Sequence, residues 1–152
     1  MAPTIFDGPN ALLGAVGAKL GPTDWLEITQ ARVNQFADAT DDHQWIHVDT
    51  ERALDGPFGG TIAHGYLTLS LCASFLAQLV HVSNISMGLN YGVNKARFIT
   101  PVKVGSRIRA SGEVVEATEV GGGVQAVVRV TVEIDGEAKP AAVIDTVSRY
   151  LA

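Results

Sequence analysis

The segment from Gly65 to about Val80 constrains the fold of this chain more than any other. Its sequence, GYLTLSLCASFLAQLV, is apolar on nearly every side at helical spacing. A helix of this kind has to be enclosed on most sides, because a surface helix keeps one polar face. A membrane span needs roughly 20 predominantly apolar residues, and this run is broken by Thr68, Ser70 and Ser74. We therefore expect a buried central helix and no membrane partner.

Strand-like patterns follow the helix. Between 124 and 134, valines and alanines alternate with polar residues, which is the period of a strand with one buried face. Similar segments, set off by glycine-containing turns, predict strands over 85–100, 106–119 and 139–151. The second half of the chain is therefore expected to be an antiparallel meander.

Fewer elements are predicted before the helix. A short strand is expected over 25–28 and a helix over 30–40 with Thr29 as its N-cap, while residues 1–23 are loop-like. A long helix followed by antiparallel strands packs most simply with the sheet curled around the helix. The expected fold class is α+β, a single hotdog domain over 1–152 with an antiparallel five-stranded sheet wrapped around a long central helix. Such a small sheet leaves open edges, so we also expect a homodimer.

Composition narrows the range of functions. The chain has 152 residues, of which 47% are hydrophobic, and this excludes a disordered protein. Its formal net charge of −5 argues against a nucleic-acid partner. A single cysteine, Cys72, cannot form an internal disulfide, and the first residues lack the pattern of a signal peptide. We therefore expect a cytoplasmic protein.

The segment from Phe36 to His47, FADATDDHQWIH, is the first candidate site. In a loop, Asp42 and His47 can face one cleft with a water molecule between them. That pairing can take a proton from water and give one to carbon. The alternative is that these are ordinary helix-end and turn residues. A histidine and a carboxylate can also bind a metal, but no third ligand stands at suitable spacing, so no metal is expected.

The second candidate is the run GGTIAHG, which leads from Gly59 to Gly65 at the start of the central helix. The first N–H groups of a helix are unpaired and lie at its positive end. In apolar surroundings the N–H of Gly65 can polarise a carbonyl group, and a glycine would let a substrate approach the backbone. It is equally reasonable that Gly65 eases helix packing and that His64 is a capping group.

A basic stretch is the third feature. From Gly56 to Gly112 there is no acidic residue, whereas five basic residues stand there: Lys95, Arg97, Lys103, Arg107 and Arg109. In an acidic protein this asymmetry favours a polyphosphate ligand such as coenzyme A. Two strands with basic outward faces would explain it as well.

These residues resemble a known family. The segments DHQWIH from Asp42, AHGYL from Ala63 and RFITPVKVG from Arg97 resemble, in order and spacing, the (R)-specific enoyl-CoA hydratases, also called MaoC-like dehydratases. The resemblance covers roughly residues 28–110. It implies reversible addition of water to a trans-2-enoyl thioester, which gives an (R)-3-hydroxyacyl thioester and needs no cofactor.

The resemblance also assigns roles to residues. Asp42 and His47 would hold the reacting water, and the N–H of Gly65 would receive the thioester carbonyl oxygen. Asp42 would draw the proton from water while His47 serves the proton at C2, and the reverse assignment stays open. Acyl-CoA, or acyl carrier protein as the other carrier, is the expected partner. Four further residues are candidates for substrate binding: Gln44, Trp45, His64 and Arg97.

The chain departs from the family inside this motif. Family members commonly read Gly-Asp-x-Asn-Pro-Leu-His, where this chain has Asp41, Gln44 and Trp45 in place of Gly, Asn and Pro. Gln44 keeps the amide chemistry, and the Trp45 ring would narrow or line the acyl channel. Two adjacent aspartates compete for the role of base, and the spacing to His47 favours Asp42.

Two other functions were weighed against the hydratase, a lyase of fatty acyl metabolism. Many hotdog thioesterases carry a catalytic Asp or Glu on the central helix, and residues 65–80 contain neither. A non-catalytic subunit that binds acyl chains or completes a heterodimer would be expected to lose the Asp/His pair. This chain keeps Asp42 and His47, so the hydratase is favoured.

Overall fold

One long helix lies at the centre of the computed structural model, which describes residues 2–152. The helix runs from Gly65 to Leu79, and the backbone becomes extended at Val80. The predicted central helix is thereby confirmed. Among the described residues, no helix combines the length and the apolar character needed to cross a membrane.

The remaining elements surround this helix. In chain order, the strands and helices are β1 (Thr4–Phe6), a 3-10 helix (Pro9–Gly14), β2 (Lys19–Leu20), β3 (Leu26–Glu27), α1 (Gln30–Thr40), α2 (Trp45–Val48), α3 (Thr50–Leu54), α4 (Gly65–Leu79), β4 (Val80–Val82), β5 (Met87–Phe98), β6 (Arg107–Val120), β7 (Gly123–Ile134) and β8 (Ala142–Leu151). The N-cap predicted for α1 is confirmed, because the Thr29 hydroxyl accepts a hydrogen bond from the Arg32 N–H at 3.1 Å.

The main sheet is antiparallel and follows the order β2-β6-β7-β8-β5. It has six strands rather than the predicted five, because β3 also pairs with β6. β2 lies opposite Gly112 and β3 opposite Ile108, so both occupy the same edge of β6. The sheet therefore stays five strands wide, with its first edge strand split in two.

The prediction that residues 1–23 are loop-like is wrong in part. This segment contains β1, the 3-10 helix and β2. β1 pairs with β4 in a separate parallel two-stranded sheet, in which Ile5 lies opposite His81. Strands of two or three residues are too short to show the period-two pattern, and their pairing depends on partners far away in the sequence.

The core lies between α4 and the inner face of the sheet. Five β7 residues that alternate along the strand are at most 2% exposed: Val124, Ala126, Val128, Val130 and Val132. They share one hydrophobic cluster with Leu71 and Phe75 of α4. Each fully buried side chain of this size stabilises the fold by about 1.5–3 kcal/mol. The inward face predicted for this strand is confirmed.

One side of the central helix is open. All twelve residues of the edge strand β5 are exposed. Beside this strand, Tyr66 of α4 is 70% exposed, and Ser70, Ala73 and Ala77 on the same helix face are exposed as well. The expected enclosure of the helix is correct for the side against the sheet and wrong for this side. An apolar pattern predicts burial without indicating which chain provides the covering atoms.

The backbone reverses direction after α1 at a residue with a positive φ. Asp41 is the C-cap of α1 and has φ 59° and ψ 24°, in the left-handed region. Glycine is the usual residue at this position of a helix end, and Asp tolerates it better than most residues. The structure thus explains how Asp41 can replace the glycine of the family motif.

Substitutions at Asp41 test this explanation. We expect Asp41→Gly to keep or raise the free energy of unfolding, because it removes the Cβ that is strained in the left-handed conformation. Asp41→Ala should lower the free energy of unfolding by about 1 kcal/mol, because it keeps the Cβ and loses the polar group that makes this conformation tolerable for aspartate. Urea denaturation of both variants measures the difference. Equal stabilities for the two variants would contradict the explanation.

Candidate active site

A cluster of three side chains forms where α2 meets the start of α4. The donor atoms of Asp42, His47 and His64 all lie within 4.8 Å of one another. His47 is 6% exposed and His64 is 2% exposed, while Asp42 is exposed to solvent. The structure therefore brings the predicted Asp42/His47 pair together and adds His64 to it.

A hydrogen bond fixes the tautomer of His47. Its Nδ1 lies 2.7 Å from the carbonyl oxygen of Ile62. A carbonyl oxygen only accepts, so Nδ1 carries the proton and Nε2 keeps its lone pair in the neutral ring. The Ile62 N–H donates in turn to the carbonyl oxygen of Ile46 at 3.0 Å. His47 is thus held as a hydrogen-bond acceptor at Nε2.

Burial lowers the pKa of His47 below its ordinary value. Desolvation of the imidazolium is the largest cause, and the neighbouring His64 acts in the same direction. The hydrogen bond to the Ile62 carbonyl and the charge of Asp42 oppose it by raising the pKa. The net effect favours a neutral ring near pH 7, which is the form that can accept a proton.

His64 lies behind the pair and is closed to solvent. Its ring stacks on that of His47, with centroids 3.8 Å apart and planes inclined by 24°. Its Nε2–H donates to the backbone carbonyl oxygen of Asp42 at 3.0 Å. Its Nδ1 is buried and has no hydrogen-bond partner among residues 2–152. The substrate contact predicted for His64 stays a prediction.

The other polar residues of the segment face away from the cluster. His43 and Asp38 pair with each other at 2.8 Å on the surface. Asp41 serves as the C-cap of α1. The side chain of Gln44 is exposed, and its backbone N–H donates to Asp42 Oδ1 at 3.5 Å. Of the two adjacent aspartates, it is Asp42 that belongs to the cluster.

The cluster supplies the third metal donor that the sequence did not reveal. Spacing predicted no third ligand beside Asp42 and His47, yet His64 lies within reach. One nitrogen of each histidine already bonds a carbonyl oxygen. The remaining lone pairs lie in two nearly parallel ring planes 3.8 Å apart. Because zinc binds imidazole nitrogens at about 2 Å, these two lone pairs do not converge on one ion.

Gly65 opens α4 next to this cluster. The first intrahelical bond runs from Leu67 N–H to the His64 carbonyl oxygen at 3.0 Å, so the N–H groups of Gly65 and Tyr66 have no partner within the helix. A Cβ at Gly65 would lie 3.2 Å from the ring of Phe98. A side chain at this position would therefore have to displace the Phe98 ring by a few tenths of an ångström.

Two predicted binding residues lie elsewhere. The Trp45 ring packs against Gly56 and under the guanidinium of Arg52 at 4.2 Å. Arg97 lines a cleft of about 290 Å³ with Arg129, on the sheet face away from α4. The structure brings neither side chain into the cluster, and a contact of Arg97 with phosphate groups stays a prediction.

Two of the five basic residues of the basic stretch pair with acidic residues on a neighbouring strand or in the turn after it. Arg107 pairs with Asp135, and Arg109 pairs with Glu133. Both guanidinium groups also lie over the ring of Trp25. The absence of acidic residues from one stretch of sequence therefore did not reveal the local charge, since the partners come from β7 and the turn after it.

Sequence reasoning missed Gln30. Its Nε2 donates to the carbonyl oxygen of His47 at 2.8 Å, and its Oε1 accepts from the Thr61 hydroxyl at 2.7 Å. Gln30 therefore ties the start of α1 to both segments that carry the cluster. No local pattern marks it, because its role depends on contacts between distant segments.

Most of the chain, with the cluster, matches the model of a known protein family. The family model described as MaoC like domain matches residues 12–137, which include the whole cluster. The chain belongs to the MaoC-like family.

Individual MaoC-like relatives cover most of the chain. A 3-hydroxyacyl-thioester dehydratase Z from Mycobacterium tuberculosis is 52% identical over 148 residues, which is 97% of this chain and 98% of the relative. Nodulation protein N from Rhizobium leguminosarum bv. viciae is 45% identical over 129 residues, or 83% of this chain and 80% of the relative. The solved (R)-hydratase from A. caviae involved in PHA biosynthesis aligns with a TM-score of 0.71 and 25% identity, over 88% of this chain and 94% of that one. The predicted α+β hotdog fold is confirmed.

The lowered pKa of His47 predicts how this MaoC-like protein responds to pH. In the unfolded chain His47 protonates below about pH 6.5, whereas the folded state resists protonation. The contribution of His47 to stability is therefore complete above that pH and declines as the pH falls below it. Comparing the unfolding of the wild type with that of His47→Gln between about pH 5 and 8 isolates this effect. The stability difference should shift against the wild type at low pH, and parallel curves would contradict the assignment.

Proposed function

We propose that this protein is an (R)-specific enoyl-CoA hydratase, a cytoplasmic lyase that adds water reversibly to a trans-2-enoyl thioester. The observation that carries the proposal is the neutral, tautomer-fixed His47 beside the carboxylate of Asp42. The pair lies next to Gly65 at the open start of a buried helix. An acid–base pair and an oxyanion donor are the groups that this reaction needs.

The proton inventory favours His47 as the base. Neutral His47 has a lone pair at Nε2 and no proton there to give. In the proposed step, Nε2 takes a proton from water as the water oxygen forms its bond to C3. The resulting imidazolium then returns that proton to C2, so that both parts of the water end on the substrate. Asp42 orients the water and stabilises the imidazolium. The proton abstraction expected of Asp42 thus passes to His47, which keeps its expected role at C2.

The start of α4 supplies the electrophilic part of the site. As water attacks C3, negative charge develops on the thioester carbonyl oxygen. The Gly65 N–H lies at the positive end of α4 and has no partner within the helix, so it can donate to this oxygen as the charge develops. We assign this role to the Gly65 N–H.

An apolar cavity fits the acyl chain. It has a volume of about 190 Å³ and lies between α4, β5 and β8, with Leu69, Cys72, Leu76 and Val147 among its lining residues. Burial raises the pKa of the Cys72 thiol to about 12. The cavity lies along the same helix whose first residue offers the oxyanion N–H, so one ligand can reach both.

The open face of α4 and β5 supports a homodimer. The edge strand β5 carries exposed apolar side chains, among them Met87, Leu89, Tyr91 and Val93. Such an edge has unpaired backbone N–H and C=O groups. The same edge of a second copy, related by a two-fold axis, can hydrogen-bond to them and extend the sheet. A second copy would also cover Tyr66, which is exposed in the single chain.

The two other functions have less support. A thioesterase mechanism would use an Asp or Glu on the central helix, and α4 carries neither. A non-catalytic subunit would have no use for the buried, hydrogen-bonded His47 beside Asp42. The reacting pair therefore favours the hydratase.

Crotonyl-CoA is the substrate with which to test this proposal. Purified protein should remove the absorbance of the conjugated thioester without releasing free thiol, and an (R)-specific 3-hydroxyacyl dehydrogenase should oxidise the product. We expect His47→Gln and Asp42→Asn each to lower kcat by about 10²–10⁴-fold, because the first removes the base and the second removes the charge that stabilises its imidazolium form. Asp38→Asn, on the surface beside His43, is the matched control and should leave kcat unchanged. Thiol release, or near-normal turnover in either site variant, would overturn the proposal.

Leu89→Lys tests the homodimer. A charge on the exposed edge strand should prevent two copies from pairing, because the ammonium group would be buried at the interface. In sedimentation equilibrium the wild type should have twice the 16.0 kDa mass of the chain, and the variant should approach the single-chain mass. Val16→Lys, at another exposed apolar position, should leave the mass unchanged. A wild type of single-chain mass would refute the dimer.

A further inference from the structure

We propose that His64 is a positioning residue, which holds Asp42 through its backbone and His47 through its ring. This inference rests on the proposed function, since it names the group that keeps the reacting pair in register. It is a different role from the substrate contact predicted for His64.

A hydrogen bond joins the His64 side chain to the backbone of Asp42. Asp42 follows the left-handed Asp41 and is exposed, so little else fixes its main chain. The His64 Nε2–H donates to the Asp42 carbonyl oxygen at 3.0 Å, across 22 residues of sequence. This bond ties the loop that carries the carboxylate to the start of α4. The same end of α4 carries the Gly65 N–H, so both catalytic elements are set from one point.

The rings of His64 and His47 are stacked. The imidazole of His64 covers one face of the His47 ring at 3.8 Å, and the Phe36 ring covers His64 in turn at 4.9 Å. This arrangement keeps water from that face of His47 and prevents the ring from tilting. His47 can then present only its edge, where Nε2 has its lone pair.

One ring nitrogen of His64 is left unpaired by this arrangement. His64 Nδ1 is buried without a hydrogen-bond partner among residues 2–152. A buried acceptor left unpaired destabilises the fold. Phenylalanine would supply the ring without a donor, and glutamine would supply a donor without the ring. A histidine provides both the donor and the ring, and the unpaired Nδ1 is the consequence.

Two substitutions separate the two contacts. His64→Phe keeps the ring and removes the donor, whereas His64→Gln keeps a donor at the Nε2 position and removes the ring. We expect His64→Phe to lower kcat by about 10²-fold with little change in KM, because a small displacement of a catalytic group has an effect of that size. We expect His64→Gln to keep more of kcat and to move the acid limb of the pH profile upward, because water then reaches His47.

A control excludes a general loss of stability. Phe75→Leu changes a buried residue of the same helix that is 1% exposed and lies outside the cluster. It should lower Tm without altering kcat, KM or the pH profile. If His64→Phe and His64→Gln likewise change only Tm, His64 is a structural residue and the inference is wrong.

The inference can fail independently of the proposed function. An NMR titration of the His47 imidazole in wild type and His64→Gln needs no turnover. The pKa of His47 should be higher in the variant, and the wild-type spectrum should show His64 with its proton on Nε2. An unchanged pKa, or a proton on Nδ1, would overturn the positioning role even in an active hydratase. If the wild type does not hydrate crotonyl-CoA, the proposed function fails and the titration still decides the arrangement.

Discussion

The apolar contact between α4 and the inner face of the sheet is the interaction on which the rest of this structure depends. It fixes the position of the helix, and the helix begins with His64 and Gly65. A shift of one residue in strand register would turn the valines of β7 outward and bring Arg129 and Thr131 inward. Packing therefore specifies the register, and the register specifies where the first N–H groups of the helix lie. The packing of the core therefore also determines the geometry of the candidate site.

Much of the fold could be predicted from the sequence, because the longest elements have strong periodic patterns. The central helix, the inward valines of β7 and the cap at Thr29 are all local features. What could not be predicted depends on contacts between distant segments. The short strands β1 and β2 have partners 76 and 92 to 94 residues away, as the pairs Ile5–His81 and Leu20–Gly112 with Lys19–Glu113 show. The ion pairs of the basic stretch depend on strand register in the same way.

The candidate site also combines local features, which the sequence shows, with contacts between distant segments, which it does not show. The spacing of Asp42 and His47 was visible in the sequence, and the structure brings the two side chains together although His47 lies on the short helix α2. The sequence could not show which nitrogen of His47 carries the proton, because that depends on the Ile62 carbonyl oxygen. It also gave no sign of Gln30, which joins His47 to Thr61 from the far side. Local spacing indicates which residues could react, and tertiary contacts decide in which protonation state they meet.

The buried thiol of Cys72 has a consequence for chemical self-protection. An α,β-unsaturated thioester is an electrophilic alkene, and a thiolate in contact with one forms a covalent adduct at C3. Cys72 lines the cavity assigned to the acyl chain, where it is the chain's one cysteine. With a pKa of about 12, only about one thiol in 10⁵ is ionised at pH 7. Under the proposed function, the apolar surroundings that suit an acyl chain thus also keep this cysteine in its unreactive thiol form.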